Sequence, residues 1–180
     1  MLHLFRHQLL FVALTLSPLL FAGCGQNSVE NKIIGTWEMS AYFTHQDIAK
    51  IAEEPMPDGV EMEMTLKGTQ SYHRGGKYDG EGTLTMRFRM ADGEISFRFY
   101  LKDAGEWELH SGGKEIVETT VDATLTPLDE PSKTFLEESP EFSASMTPIK
   151  GETSTTTILS LSDSIMEIED DSITLSLKRL

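Results

Sequence analysis

Few residues of this chain carry chemistry by type and spacing. Cys24 is the only cysteine, and it directly follows the small residues Ala22 and Gly23. An unpaired thiol in an exported protein calls for an explanation. The histidines beyond it, His45, His73 and His110, lie far apart, with no paired spacing and no cysteine partner for a metal site. The acidic run Glu167-Ile168-Glu169-Asp170-Asp171 lacks the spacing of a calcium loop and reads as a solvated hairpin turn. No Gly-x-Ser-x-Gly elbow occurs, so an acyl-transfer nucleophile has no candidate. Carboxylates abound, yet nothing singles out a pair as a glycosidase dyad. The expectation is a protein without catalytic residues, metal or cofactor. One basic cluster, His73-Arg74-Gly75-Gly76-Lys77 between Tyr72 and Tyr78, could receive an anionic ligand or an envelope protein partner. Its plainer reading is an exposed hairpin tip.

The setting of Cys24 follows from the segment before it. Residues 1–23 contain no acid, carry Arg6 near the front, and then run apolar from Leu9 to Leu16 and again over Leu19-Leu20-Phe21-Ala22. That charged, apolar, small-residue order is that of an export signal. The apolar core falls short of the roughly 20 residues that a membrane span needs, and Pro18 interrupts it. The stretch Leu20-Phe21-Ala22-Gly23-Cys24 resembles the lipobox of bacterial lipoproteins, departing from it at Phe21. The resemblance implies cleavage before Cys24 and lipidation of its sulfur, which would attach the protein to a membrane. The other readings are an ordinary cleaved signal with a leftover thiol, or a retained anchor helix. Gly25 stands where the family's inner-membrane retention signal has Asp, so the outer membrane is implied if the cell has two. Residues 24–32 are expected to be the lipidated cysteine and a flexible tether, and residues 33–180 a single domain.

Charge narrows the partners of that domain. The chain has 29 acidic and 15 basic residues, a formal net charge of −14, and loss of Arg6 with the signal deepens it by one. Nucleic acid is excluded, because it requires a basic footprint. Anionic headgroups are repelled too, so the domain should stand off the membrane on its tether.

The elements that must position any site are strands. Apolar residues alternate with polar ones along Val60-Glu61-Met62-Glu63-Met64-Thr65-Leu66-Lys67, along Leu84, Met86, Phe88 and Met90, and along Ile95, Phe97, Phe99 and Leu101. This is the pattern of an antiparallel sheet with one wet and one dry face. Turns are expected at Arg74-Gly75-Gly76-Lys77, Asp79-Gly80-Glu81-Gly82, Ala91-Asp92-Gly93, Asp103-Ala104-Gly105 and Ser111-Gly112-Gly113. Further strands are expected over residues 33–42, 105–110, 114–125, 156–161, 164–168 and 172–178. Eight or nine strands in an antiparallel meander hide their edges best by closing into an up-and-down barrel, an all-β fold. A short helix is expected over residues 44–54, with Thr44 and Asp47 as a capping box. Residues 127–152, rich in Pro, Ser, Thr and Glu, read as a long loop with a helical turn around residues 134–138 and as a second possible partner surface.

Gly35-Thr36-Trp37 near the start of the domain and Leu175-Ser176-Leu177-Lys178-Arg179-Leu180 at its end resemble the lipocalin and wider calycin barrels. In that family a Gly-x-Trp opens the first strand and a late Arg lies across the indole to close the base. The resemblance assigns those roles to Trp37 and Arg179, and implies a membrane-anchored barrel that binds an apolar or amphipathic small molecule. The middle lipocalin motif is absent. Counting by twos, the inward set is Trp37, Met39, Met62, Met64, Leu66, Leu84, Met86, Phe88, Met90, Phe97, Phe99, Trp107 and Leu109. Met62, Met64, Met86, Phe88, Phe97, Phe99 and Trp107 are the candidate ligand contacts, since methionines and aromatics make adaptable apolar walls. The same residues also suit a filled barrel, which would make the protein an envelope scaffold without a ligand.

Overall fold

The computed structural model of the chain describes residues 26–51, 59–140, 149–170 and 173–180. The signal segment and Cys24 lie outside the described residues. Among those described, no helix is long and apolar enough to cross a membrane.

The chain runs α1 (Gln26–Ile33), β1 (Gly35–Phe43), α2 (His45–Ile51), β2 (Glu61–His73), β3 (Lys77–Met90), β4 (Gly93–His110), β5 (Glu115–Pro127), α3 (Glu130–Glu138), β6 (Thr153–Leu161), β7 (Ile165–Asp170) and β8 (Ile173–Arg179). The eight strands form one closed antiparallel barrel in sequence order, β8 returning to β1. The expected up-and-down barrel, with a short helix after its first strand, is therefore the fold. Helix α2 starts as its capping box dictates. The Thr44 backbone N–H donates to Asp47 Oδ2 at 3.1 Å, and the Asp47 N–H donates back to Thr44 Oγ1 at 3.3 Å. Residues 52–54, the end of the expected helix, lie outside the described residues.

Four expectations need correction. Asp79-Gly80-Glu81-Gly82 is not a turn but the middle of β3, paired without interruption to β2 and β4. Its glycines serve close approach: a Cβ on Gly82 would sit 2.8 Å from the Lys67 carbonyl oxygen, and one on the facing Gly68 2.2 Å from that of Glu81. Asp103-Ala104-Gly105 is likewise strand, so the two strands expected around it are the single 18-residue β4. Its register to β5 shifts between Ala104 and Gly105, where Val121 is the extra residue of a bulge. The expected coil tether is helical from Gln26, because Val29 and Ile33, one turn apart, both pack on the barrel's base. The acidic run at 167–171 is strand β7 through Asp170, its polar members alternating with the buried Met166 and Ile168.

The base holds one apolar cluster: Ile33, Trp37, Tyr72, Tyr78, Trp107, Ile116, Met166, Ile168 and Leu177. Trp37 is fully buried and its indole N–H donates to the Ile33 carbonyl at 2.7 Å, which fixes α1 against β1. The Arg179 guanidinium lies 4.2 Å from the Trp37 ring centre. It also donates to the carbonyls of Ile34 and Asp163, each at 2.7 Å, and to that of Lys32. Gly35 is required beneath it. Its φ is +139°, and a Cβ there would come within 2.3 Å of the guanidinium. Replacing Arg179 with Ala is expected to cost about 2–3 kcal/mol in urea unfolding, from lost packing and three abandoned carbonyls. Arg179→Lys should recover less than half of that, because an ammonium cannot reproduce the planar fork.

Candidate ligand-binding interior

Above the base the strands differ in height. β2, β3, β4 and β5 have 13, 14, 18 and 13 residues, against 9, 6 and 7 for β6, β7 and β8. The inner face of the tall wall is apolar by register: Met62 opposes Phe88, Met64 opposes Met86, Leu66 opposes Leu84, and Met86 opposes Phe97. Leu84, Met86, Phe97 and Phe99 are buried there, with Met62, Met64, Leu66, Phe88, Leu101 and Leu125 packed around them. Six of the seven candidate contacts thus gather in one upper cluster. The seventh, Trp107, lies in the base instead, edge-on to Tyr72 at 5.3 Å, its indole N–H on the His73 carbonyl at 3.2 Å. Met90, also counted inward, is exposed at the rim.

Helix α3 covers this wall. Residues 127–152 were expected to be a loop with a turn at 134–138; the helix begins at Glu130. Asp129 caps it by accepting from the Ser132 N–H at 3.0 Å, and Pro131 sits in the first turn, where its missing donor costs nothing. Phe135 stacks on Phe97 at 4.3 Å between centroids and tilts against Phe99 at 6.3 Å. The fully buried Ser132 hydroxyl accepts from the Arg98 backbone N–H at 2.7 Å, and the Arg98 side chain pairs with Asp129 at 3.1 Å.

Between base and upper cluster runs a polar deck. Gln70 Nε2 donates to Glu118 Oε1 at 3.2 Å. These residues belong to β2 and β5, which are separated in the sheet by β3 and β4, so the bond crosses the lumen. The Tyr72 hydroxyl also bonds Glu118, while Tyr78 bonds Asp103 and lies 3.4 Å from the Thr120 hydroxyl. Glycines make these crossings fit. A Cβ on Gly80 would lie 2.3 Å from Gln70 Oε1 and 2.4 Å from Asp103 Oδ1, and one on Gly105 2.6 Å from the Tyr78 ring.

Burial shapes the deck's electrostatics. It raises the Glu118 carboxyl above the usual carboxylate range; the bond from Tyr72 works against this, and the charge of Asp103 adds to it. Asp103 is raised by burial as well, with Tyr78 opposing and Asp79 reinforcing. Tyr78 is pushed up to about 12, first by burial, and Tyr72 well above its ordinary value for the same reason.

The interior above the base is filled in part: Leu84, Met86, Phe97 and Phe99 are buried, the last two against Phe135, while their inward neighbours are not. Leu66, Gln70, Leu101, Asp103, Glu118 and Leu125 all face inward by register, yet each is only half-buried, whereas Trp37, Ile116, Met166 and Leu177 in the base are closed off. Glu118 is hemmed in by protein yet keeps a surface that solvent reaches. The ladder between β5 and β6 ends at Thr119 opposite Thr153, which leaves the upper wall open on that side among the described residues.

The remaining candidates are structural. At the basic tip His73 pairs with Asp79 and Lys77 with Glu106, while Arg74 is exposed. The tip is also tied down, the Trp107 N–H donating to the Gly76 carbonyl at 2.9 Å. His45 accepts from the Met62 N–H at 3.3 Å, and His110 meets Glu108 at 2.8 Å. Among the described residues no three potential metal ligands come together. Gln70, Asp103, Glu118 and Thr120 were not picked out from sequence. Their signal is positional: each is a polar residue in the inward phase of its strand, and Asp103 was hidden by the turn expected around it.

No protein-family model and no characterised protein sequence matches this chain. Among solved structures, a lipocalin-like protein from Bacteroides uniformis is similar at 15% identity, over 83% of this chain and 99% of that one, with a TM-score of 0.36. A likeness that loose carries no argument; the barrel stands on its own strand order and closure.

The deck should be visible in the pH dependence of stability. With Asp103 and Glu118 raised, the folded chain takes up protons before the unfolded one, so between the ordinary and the raised carboxylate values stability falls as pH rises. Asp129, lowered first by its bond with Ser132, acts oppositely, and its contribution is lost only below the ordinary range. The melting temperature should therefore climb as pH is lowered through the raised carboxylate values toward the ordinary range, before it declines below that range. Glu118→Gln should flatten the climb and raise melting near neutrality by about 2–4 °C, read by circular dichroism.

Proposed function

We propose that this chain is a lipid-anchored protein of the cell envelope whose barrel holds an apolar or amphipathic small molecule, without catalysing a reaction on it. The observation that carries the binding half is the interior itself, where the inward Met62, Met64, Leu66, Phe88, Leu101 and Leu125 keep solvent-accessible surface above a filled base, around the buried Leu84, Met86, Phe97 and Phe99. Methionine and phenylalanine line it, and such walls adapt to flexible apolar ligands with little strain. The anchoring half rests on sequence: the export-type segment, the lipobox-like residues before Cys24, and the absence of any other cysteine. With acyl chains on Cys24 and a strongly acidic domain behind it, the lipid is the attachment to the membrane, outer-leaning in a two-membrane cell.

The scaffold reading is less well supported. Its two working surfaces were the basic tip, where Lys77 and His73 are paired with Glu106 and Asp79, and residues 127–152, which supply α3 to the upper wall. Leu128 and Ile149 of that segment remain exposed and are what such a partner would touch.

Two measurements test the proposal. A chain starting at residue 24 with Cys24→Ser carries every strand and both apolar clusters, and native mass spectrometry should find it with a co-purified apolar ligand or able to take up an apolar dye. Met64→Trp should weaken dye binding roughly tenfold by occupying the space, with melting little changed. A protein that stays empty and binds no dye would remove the binding half. In cells, Cys24→Ser should move the protein from the membrane to the soluble fraction; retention in the membrane would remove the lipid anchor.

A further inference from the structure

We infer that the barrel selects amphipaths with a cationic, hydrogen-bond-donating head, such as a primary amine, seated on the Gln70–Asp103–Glu118 deck with the tail along the half-buried Leu66, Leu101 and Leu125. This rests on the reading of the interior as a ligand site and adds the chemical class.

The first ground is the distribution of charge across the sheet. The strand registers put Lys67, Lys77, Arg87, Arg89, Arg98, Lys102 and Lys178 in the outward phase, and all are exposed. Among the described strand residues the one base in the inward phase is Arg179, at the bottom, where its donors are taken by the carbonyls of Lys32, Ile34 and Asp163. The inward charges beside the open space are carboxylates. A lumen bounded by low-dielectric walls concentrates that field rather than screening it. A fatty acid or other anionic head would meet like charge there, whereas an ammonium would relieve the mutual repulsion of Asp103 and Glu118.

The second ground is unspent hydrogen-bonding capacity beside an accessible apolar surface. A carboxylate offers about four acceptor sites. Gln70 and Tyr72 bond Glu118, and Tyr78 bonds Asp103, which leaves acceptors on both for a donor entering from above. Leu66, Leu101 and Leu125, half-buried on the inner wall, continue from the deck into the upper cluster. Polar and apolar parts are thus stacked along one lumen, in the order that an amphipath entering head-first requires. Leu101 and Asp103 are successive inward residues of the same strand, so head and tail subsites adjoin without a gap.

The experiment is calorimetric titration of the chain from residue 24 carrying Cys24→Ser, with decylammonium, decanol and decanoate at monomeric concentrations. Decylammonium is expected to bind about tenfold tighter than decanol, and decanoate weaker than both. Glu118→Gln should collapse the ratio of decylammonium to decanol affinities toward one, and Asp103→Asn should lower it; melting curves establish that each variant folds. Glu38→Gln, which removes an exposed outward acid, should leave the ratio unchanged and so separates the deck from the general pull of an acidic protein. Equal affinity for all three amphipaths, preference for decanoate, or a full ammonium preference in both deck variants would each overturn the inference while leaving the interior a ligand site. Failure of all three to bind would overturn the underlying reading as well.

Discussion

Eight strands become a barrel only where the last meets the first, and in this chain that seam is short. Trp37, Glu38 and Met39 of β1 face Arg179, Lys178 and Leu177 of β8, and little else joins the two strands. Backbone pairing over three residues is a weak closure for a sheet of this size. Side chains reinforce it: Arg179 lies on the Trp37 indole and draws in carbonyls from α1, from Ile34 between α1 and β1, and from the β6–β7 connection. The indole in turn is fixed by Ile33. One guanidinium thus ties the end of β8 to two separate pieces of chain at the base, the α1–β1 junction and the β6–β7 connection, and so shuts this end.

Once the base is filled, the middle of the barrel is under a different constraint. Glutamate, aspartate, glutamine and two tyrosine hydroxyls inside a sheet are costly unless they bond one another, and here Gln70 and Tyr72 reach Glu118 across the lumen while Tyr78 reaches Asp103 on the neighbouring strand. Such crossings need room, which explains a belt of glycines in strands where glycine otherwise weakens a sheet. The arrangement trades stability for placement. A leucine at the position of Glu118 would suit a core better, so the carboxylate is most easily understood as serving something other than the fold.

How much of this was legible in the sequence depended on whether neighbouring residues repeated one instruction. The alternation of Met62, Met64 and Leu66, of Leu84, Met86 and Phe88, and of Phe97 and Phe99 specifies strands and their inner face, and the upper cluster follows directly. The Thr44–Asp47 box marked a helix start because two side chains answer each other locally. Gly80, Gly82 and Gly105 misled, since glycine beside aspartate suits a turn as well as a crowded strand; only the partners across the sheet decide. Helix α3 was half seen. Asp129 and Pro131 are an initiation signal, but Phe135 and Leu136 are too few to show a period, and the wall they cover is distant in sequence. The deck was unreadable for a related reason: Gln70 and Glu118 acquire meaning only when β2 and β5 face each other.

The uneven strand heights have one more consequence. Above Thr120, β5 has β4 on one side and no strand on the other among the described residues, which leaves residues 121–127 as an edge of backbone there. Free edges recruit strands from other molecules. This one is ill suited to that: the bulge at Val121 breaks its register, Asp122 puts a charge on its outer face, and Pro127 ends it without a donor. The bulge, the charge and the proline therefore guard this edge, so that unequal strand heights do not make the barrel adhesive to its own copies.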